Sequence, residues 1–427
     1  MMSFRKEVLF MNYCLSFDVG KNKSCYGFFR VKDVTLGIKD GMECIIKQTY
    51  FNHTAEEAEK IEGRITSYSK NEIAVIMEST AVYHRPLQKY FEDRGYKVSV
   101  INPFLTGHDN SSLRKTKYDK GDVSKIAFVY FKGNCNIQFV ETILEKNRRI
   151  LSRLSEEITD TLSKRKTELL MKLAETAPEY EKTFKKSGIY TNSVLSLIDK
   201  YPHSDLIREA NEKAVAKAMH YAKKNYHVKD YAVWAEKLKR ENGRWLPGTG
   251  RDSAELEYIR YLIAKIQEET IESDKKIAEL VSVCEDEEIY KVLLTFRGIG
   301  PEIAAHLTAE LGNMARFKKP QSIIAYAGFD PSKEQSSQSL DANGKITKRG
   351  NRHLRRWLFG AVQSMIMHAK EGDREFADYY ASKRGDKRKG GQSHHHFYAM
   401  TACCNKLIRK IYFRYLDSIK AEAEKTR

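Results

Sequence analysis

The sequence predicts an α/β domain at the N-terminus joined to an all-α remainder, on three observations. Short β-rich runs alternate with polar helical stretches up to about residue 135, and long, charged, nearly glycine-free segments fill residues 140–290. Glycine punctuation returns, between helical stretches, from about 291 to 415. The boundaries fall at 11–139, 140–290 and 291–415, and two or three domains suit a chain of 427 residues.

In the first region, residues 14–18 read as a strand, 26–31 as a second after a turn at 20–23, and 45–51 as a third. Residues 54–68 read as a helix, 73–77 as a buried strand, 85–94 as a helix, 97–101 as a strand closed by Asn102 and Pro103, and 119–132 as a helix. The order is βββαβαβα. In the middle region the helices break at Tyr201 and Pro202 and again at 243–250. From Leu256 apolar residues step by three and four through Ile259, Ile263 and Ile266, turn polar at Thr270 and Ser273, and return at Ile277 and Leu280. That coiled-coil-like seam fits a helical hairpin or a dimer stalk, and equally a packing stripe inside one helical domain.

Lys and Arg number 74 against 57 Asp and Glu, a net charge of +17, which favours a polyanionic partner: nucleic acid or an acidic membrane surface. Residues 345–389 alone hold thirteen Lys or Arg against five Asp or Glu. No run approaches the roughly eighteen apolar residues that span a bilayer, so no membrane partner is expected. The first residues lack a signal-peptide pattern. Seven widely spaced cysteines without a CxxC pair point to buried thiols in a reducing cytosol, not to disulfides or zinc. Cys403 and Cys404 read as core. His394, His395 and His396 point in different directions on a helix and make a poor metal tract.

Four acids stand at element ends of the first region. Asp18 closes the first strand, Glu78 follows the fourth, and Asp119 and Asp122 open the last helix on one face. If the first and fourth strands are neighbours, all four converge. Clustered carboxylates repel, and hard divalent cations, Mg²⁺ or Mn²⁺, are the natural remedy. Two such ions clamp the attacking and leaving oxygens of a phosphodiester displacement.

The stretches Phe17-Asp18-Val19-Gly20, Ile76-Met77-Glu78-Ser79-Thr80, Ile101-Asn102-Pro103 and Lys117-Tyr118-Asp119-Lys120-Gly121-Asp122 resemble the RuvC-like DEDD domain of a bacterial insertion-sequence transposase family. Members of that family are bridge-RNA-guided recombinases, and Piv-type DNA invertases are among its relatives. The resemblance implies an RNase H-like fold with Asp18, Glu78, Asp119 and Asp122 as catalytic, metal-binding acids. Tyr118 and Val123 depart from the family's usual Thr and Ala without removing a ligand.

Downstream, Gly298 and Gly300 form a Gly-x-Gly turn between helical stretches, as in a helix-hairpin-helix whose amides suit a DNA phosphate. The alternative is a tight helix–helix turn in which glycine only permits close packing. The segments 325–337, 344–351 and 354–358 resemble the second domain of the same transposase family. There the serine after Gly-x-x-Pro is the nucleophile, which implies Ser336, with Ser337 as the shifted alternative. Lys348, Arg349, Asn351, Arg355 and Arg356 fall in its nucleic-acid-binding block. The family implies a DNA transposase guided by a structured noncoding RNA, acting on double-stranded donor and target DNA. It also implies a covalent phosphoserine link, homodimers assembling to homotetramers, and a cytoplasmic, nucleoid-associated bacterial protein. The rivals are a RuvC-type nuclease that hydrolyses with water, an actin-like or sugar-kinase-like ATPase suggested by Asp18-Val19-Gly20, and a non-catalytic nucleic-acid binder.

Overall fold

The structure is a computed structural model. It describes residues 11–21, 23–78, 82–101, 119–132, 142–219, 228–330, 346–385 and 396–425; in residues 119–122 it describes the backbone alone. The chain divides into two compact units, Met1–Val140 and Glu141–Arg427.

The first unit is built on a five-stranded sheet: β1 (Tyr13–Asp18), β2 (Lys23–Val31), β3 (Met42–Asn52), β4 (Ile73–Glu78) and β5 (Lys97–Ile101). The strand order is β3-β2-β1-β4-β5. The first three strands form an antiparallel meander, whereas β4 joins β1 in parallel and β5 joins β4 in parallel. Alternation with period two sends β1 side chains to opposite faces. Leu15 and Phe17, with Val75 and Met77 of β4, pack among residues that include Ile61 of α1 (Ala55–Gly63) and Phe91 of α2 (Arg85–Asp93). Cys14, Ala74 and Ile76 face the other way, toward Val123, Ile126 and Ala127 of α3 (Asp119–Phe131).

The expected helix over 54–68 ends at Gly63. There the backbone tightens: Arg64 N–H reaches the Ile61 carbonyl, Ile65 N–H reaches that of Glu62, and the turn buries Ile65 completely. Glycine's poor helix propensity fits the stop.

The second unit is helical. Its frame is α4 (Ile143–Thr176), opened by a capping box between Thr142 and Glu145. Five shorter helices follow: α5 (Glu179–Gly188), α6 (Asn192–Lys200), α7 (Ser204–Glu209), α8 (Glu212–Ala218) and α9 (Val228–Glu241). Then comes α10 (Glu255–Ser282), which carries the heptad seam. Its pairs with α4 run in reverse order: Lys172 with Glu255, Arg165 with Glu269, Thr159 with Ser273 and Arg148 with the Val283 carbonyl. The two helices are therefore an antiparallel hairpin. Ile259, Ile263 and Ile266 bury themselves within the chain, and Ser273 and Thr159 satisfy each other in the polar middle.

Continuing, α11 (Glu288–Leu294), α12 (Pro301–Leu311), α13 (Pro320–Ala327), α14 (Arg352–Met367), α15 (Glu375–Gly385) and α16 (His396–Lys425) complete the unit. No division falls at residue 290. Helix α4 is bound to this part by Ser152 Oγ with His306 Nδ1 (2.8 Å) and by Arg153 with Glu310 (3.0 Å), so 141–427 is one compact body. Cys403 and Cys404 are fully buried in α16. Among the described residues no helix is long and apolar enough to cross a membrane.

Candidate active site

The parallel register of β1 with β4 pairs Phe17 with Met77. Asp18 and Glu78 each lie one residue further on, at the carboxyl ends of strands about 5 Å apart. Both belong to the face that carries Cys14, Ser16, Ala74 and Ile76, the α3 face, and both are half-buried.

Helix α3 is fastened to this face near its start. Ser16 Oγ, two residues before Asp18, donates to the Val123 carbonyl at 3.0 Å, and Gln48 of β3 bonds the Ser124 hydroxyl. Gly27 lies beneath this contact, and a Cβ there would meet the Phe29 ring at 2.7 Å and a Val123 methyl at 3.3 Å. Along its length the helix also meets the turn at Gly37–Asp40, at the far end of the sheet. Asp119 and Asp122 lie in the turn of the helix just before the Val123 that Ser16 holds.

The backbone thus brings Asp18 and Glu78 to one sheet end, with α3 fastened through Val123 to Ser16, two residues before Asp18 in β1. The side chains of Asp119 and Asp122 lie outside the described residues. Among the described residues no group of three or more His, Cys, Asp or Glu is arranged to hold a metal ion. The carboxyl groups of Asp18 and Glu78 are hard oxygen donors of the kind that suits Mg²⁺ or Mn²⁺.

A brace on the opposite face escaped sequence reasoning. Gly20 N–H donates to Ser24 Oγ at 3.1 Å, and that oxygen is 2.5 Å from His53 Nε2. It pins the turn that follows Asp18. Burial pushes the His53 pKa down, so the ring is neutral at neutral pH.

In the second unit, Ser336 and Ser337 fall within 331–345, outside the described residues, as do His394 and His395. The stems on either side of 331–345 are joined: Thr347 N–H reaches the Asp330 carbonyl at 2.9 Å, Thr347 Oγ1 the Asp330 carboxylate at 2.7 Å, and Asn351 N–H the Tyr326 carbonyl at 2.6 Å. The basic block that follows is divided. Lys348, in the left-handed region at φ 53°, and Arg349 are exposed. Asn351 caps α14, accepting from His353 and Leu354 N–H and donating to Glu310 at 2.6 Å. Arg355 donates to the Ala327 carbonyl at 2.8 Å, and Arg356 makes a two-pronged pair with Asp160 at 2.6 and 2.7 Å. That pair holds the Asp160 carboxyl below its usual range.

The sequence left no direct sign of this acidic row on α4. Glu156 accepts from Trp357 Nε1 and pairs with His353 at 2.5 Å. With Asp160 one turn on, the four-residue spacing was its one available signal.

Gly298 sits at φ 89°, and a Cβ there would come within 2.7 Å of Met365 Cα, so this glycine serves close packing against α14. Gly300 caps α12 with open space beside it. An open groove of about 610 Å³ adjoins this turn, lined among others by Arg297, His368 and Lys370.

Comparison with known proteins agrees in both units. Residues 34–178 match a family described as Transposase, whose domain is the DEDD type, and residues 290–381 match the Transposase IS116/IS110/IS902 family. Over 148 residues the chain is 31% identical to the transposase candidate y4rJ of Sinorhizobium fredii, covering 33% of this chain and 37% of that protein. Over 141 residues it is 27% identical to an uncharacterized 44.8 kDa protein of insertion element IS116 from Streptomyces clavuligerus, covering 33% of each. The alignments thus span about a third of the length of these curated relatives. The two family matches lie in separate regions and together take in more than half of the sequence. In these two stretches the chain is similar to the IS116/IS110/IS902 family of transposases.

Proposed function

We propose that the chain is the DNA transposase or recombinase of an insertion sequence, with an RNase H-like first unit whose acids Asp18, Glu78, Asp119 and Asp122 hold Mg²⁺ or Mn²⁺. The observation that carries this reading is the β1–β4 register, which makes Asp18 and Glu78 neighbours at one sheet end, close to the Ser16–Val123 bond that fastens α3. Bound there, the ions supply charge stabilisation to a phosphodiester displacement.

The chain's own residues have distinct tasks in this reading. The Ser16–Val123 bond and the Gly20–Ser24–His53 brace hold the acidic end in shape. Ser336, or Ser337 in its place, is the nucleophile: its Oγ forms a bond to phosphorus as one DNA P–O bond breaks, and the displaced DNA oxygen leaves as a hydroxyl. Rejoining reverses these changes. Lys348 and Arg349, exposed beside the paired stems, hold phosphate charge. Asn351, Arg355 and Arg356 shape the same block from within. Gly300 and the start of α12 meet a DNA phosphate. A structured noncoding guide RNA selects donor and target DNA, and homodimers pair into a tetramer on it.

The test is to incubate the full chain with copurifying RNA, Mg²⁺ and DNA carrying the element's ends, then digest and search by mass spectrometry for a serine-linked nucleotide. We expect an adduct on Ser336 that is absent in Ser336→Ala and in Asp18→Asn. Undiminished strand cleavage by Ser336→Ala, with no adduct anywhere, assigns the site to a nuclease that uses water instead.

A further inference from the structure

The helices α5–α9 and the turn beyond them lie between the two family-matched stretches and hold two of the chain's three tryptophans. Trp234 on α9 and Trp245 in the turn beyond it are each 38% exposed, beside Val233 at 63% and Leu246 at 91%. Both indoles adjoin the same segment of α5. Trp234 stacks on Phe184 with ring centroids 5.3 Å apart, and Lys182 Nζ lies 4.8 Å from the Trp245 ring centre. Lys237 Nζ stands 4.9 Å from the Trp234 ring centre while donating to the Thr183 carbonyl at 3.2 Å. Three consecutive residues of α5, Lys182, Thr183 and Phe184, thereby contact both tryptophan-bearing segments.

Its charge is mixed toward the positive. Arg240 follows Lys237 at helical spacing along the same side, and Arg244, in the turn beyond the helix, is paired to Glu241 at 3.0 Å. The nearest acids in sequence, besides Glu241, are Glu181 and Glu236. Large exposed aromatic faces with ammonium groups over them suit a ligand that offers flat rings and anionic charge together. Unpaired nucleotides offer both.

We propose that Trp234 and Trp245, with Lys182 and Lys237, form a stacking platform for unpaired bases of single-stranded nucleic acid. Every base presents a π-face, so the platform tolerates any sequence and discriminates against duplexes, whose bases are already stacked. It is separate from the acidic site and does not depend on cleavage.

Trp357→Phe leaves Trp234 and Trp245 as the only indole emitters in the chain, so their fluorescence reports the platform directly. Titration of this variant with a 20-nucleotide oligouridylate, without divalent metal, is expected to quench emission to saturation, and a duplex of equal length to quench it far less. Filter binding of the otherwise unaltered chain is expected to weaken about tenfold for Trp234→Ala and again for Trp245→Ala, with Trp→Phe at either position restoring most of the affinity and circular dichroism unchanged. Filter binding also stands if Trp357→Phe folds poorly. Equal oligouridylate affinity of the double alanine variant overturns the proposal. So does a double variant that sediments as a smaller species than the parent, which would assign this surface to a second copy of the chain. Loss of DNA cleavage with oligouridylate binding intact would count against the transposase reading alone.

Discussion

Ser16 Oγ on β1 donates to the backbone carbonyl of Val123 in α3 at 3.0 Å, across 107 residues of sequence. One hydroxyl thus fastens the strand that ends in Asp18 to the helix that begins with Asp119 and Asp122. Ser16→Ala removes this second donor from a carbonyl that keeps its own helix bond, at a cost of about 0.5–1.5 kcal/mol. Urea denaturation should show this loss, and strand cleavage should fall further than stability explains, because α3 carries two of the four acids. Unchanged cleavage at full folding would detach the bond from the site.

Asp18→Asn and Glu78→Gln keep shape and hydrogen-bonding capacity while removing charge at a half-buried strand end. Both should fold normally by circular dichroism. Cleavage should drop by about a thousandfold or more, as expected when several kcal/mol of charge stabilisation is withdrawn, and calorimetric Mg²⁺ binding should weaken in parallel. Full Mg²⁺ binding by both variants would remove these two residues from the donor set.

Glu310 is completely buried, with its carboxylate held by Arg153 at 3.0 and 3.2 Å and by Asn351 at 2.6 Å. Glu310→Ala removes an acceptor of the half-exposed Arg153 and of Asn351 Nδ2, and about 1–3 kcal/mol of stability should be lost. Glu310→Gln retains acceptors and should lose less. Comparable denaturation midpoints for parent and Glu310→Ala would show that the pair does not matter to the fold.

His306 lies against Trp357, with centroids 3.7 Å apart and planes within 10°. Burial, aided by the Arg356 charge, lowers its pKa to about 3. The unfolded chain therefore binds a proton near pH 6.5 that the folded chain refuses, so stability falls as pH drops below 6.5 and the fall levels off near 3. Between pH 7.5 and 5.5 this amounts to about 1.4 kcal/mol. Thermal melts of the parent at the two values should separate more than those of His306→Gln. Equal separation would place the pH dependence elsewhere.

Gly298 and Gly300 can be told apart by alanine. At Gly298 a Cβ meets the α14 backbone and the φ of 89° disfavours any L side chain, so Gly298→Ala should destabilise by about 1–3 kcal/mol. At Gly300, with φ −87° and open space, alanine should be stable. A loss of DNA affinity in Gly300→Ala alone would therefore report contact with DNA, and an unaltered affinity would limit this turn to packing.

What could be read from the sequence was local: where chemistry sits in each element, and which face of each element is apolar. An unbroken apolar run over residues 73–77 and alternation over 97–101 marked strands, and Asp18 and Glu78 were legible as strand-end acids because a strand's direction fixes where its last residue points. Tertiary structure decided what covers each face. The Leu256–Leu280 seam has the same period whether it meets another chain or α4, and only folding showed that α4 takes it, with Arg165 and Lys172 matched to Glu269 and Glu255. Likewise Arg356 read as a free cation for phosphate, and it is held by Asp160, 196 residues earlier. Periodicity carries the shape of a surface but not the identity of its partner, because that partner comes from distant chain whose position is set by the packing of everything between.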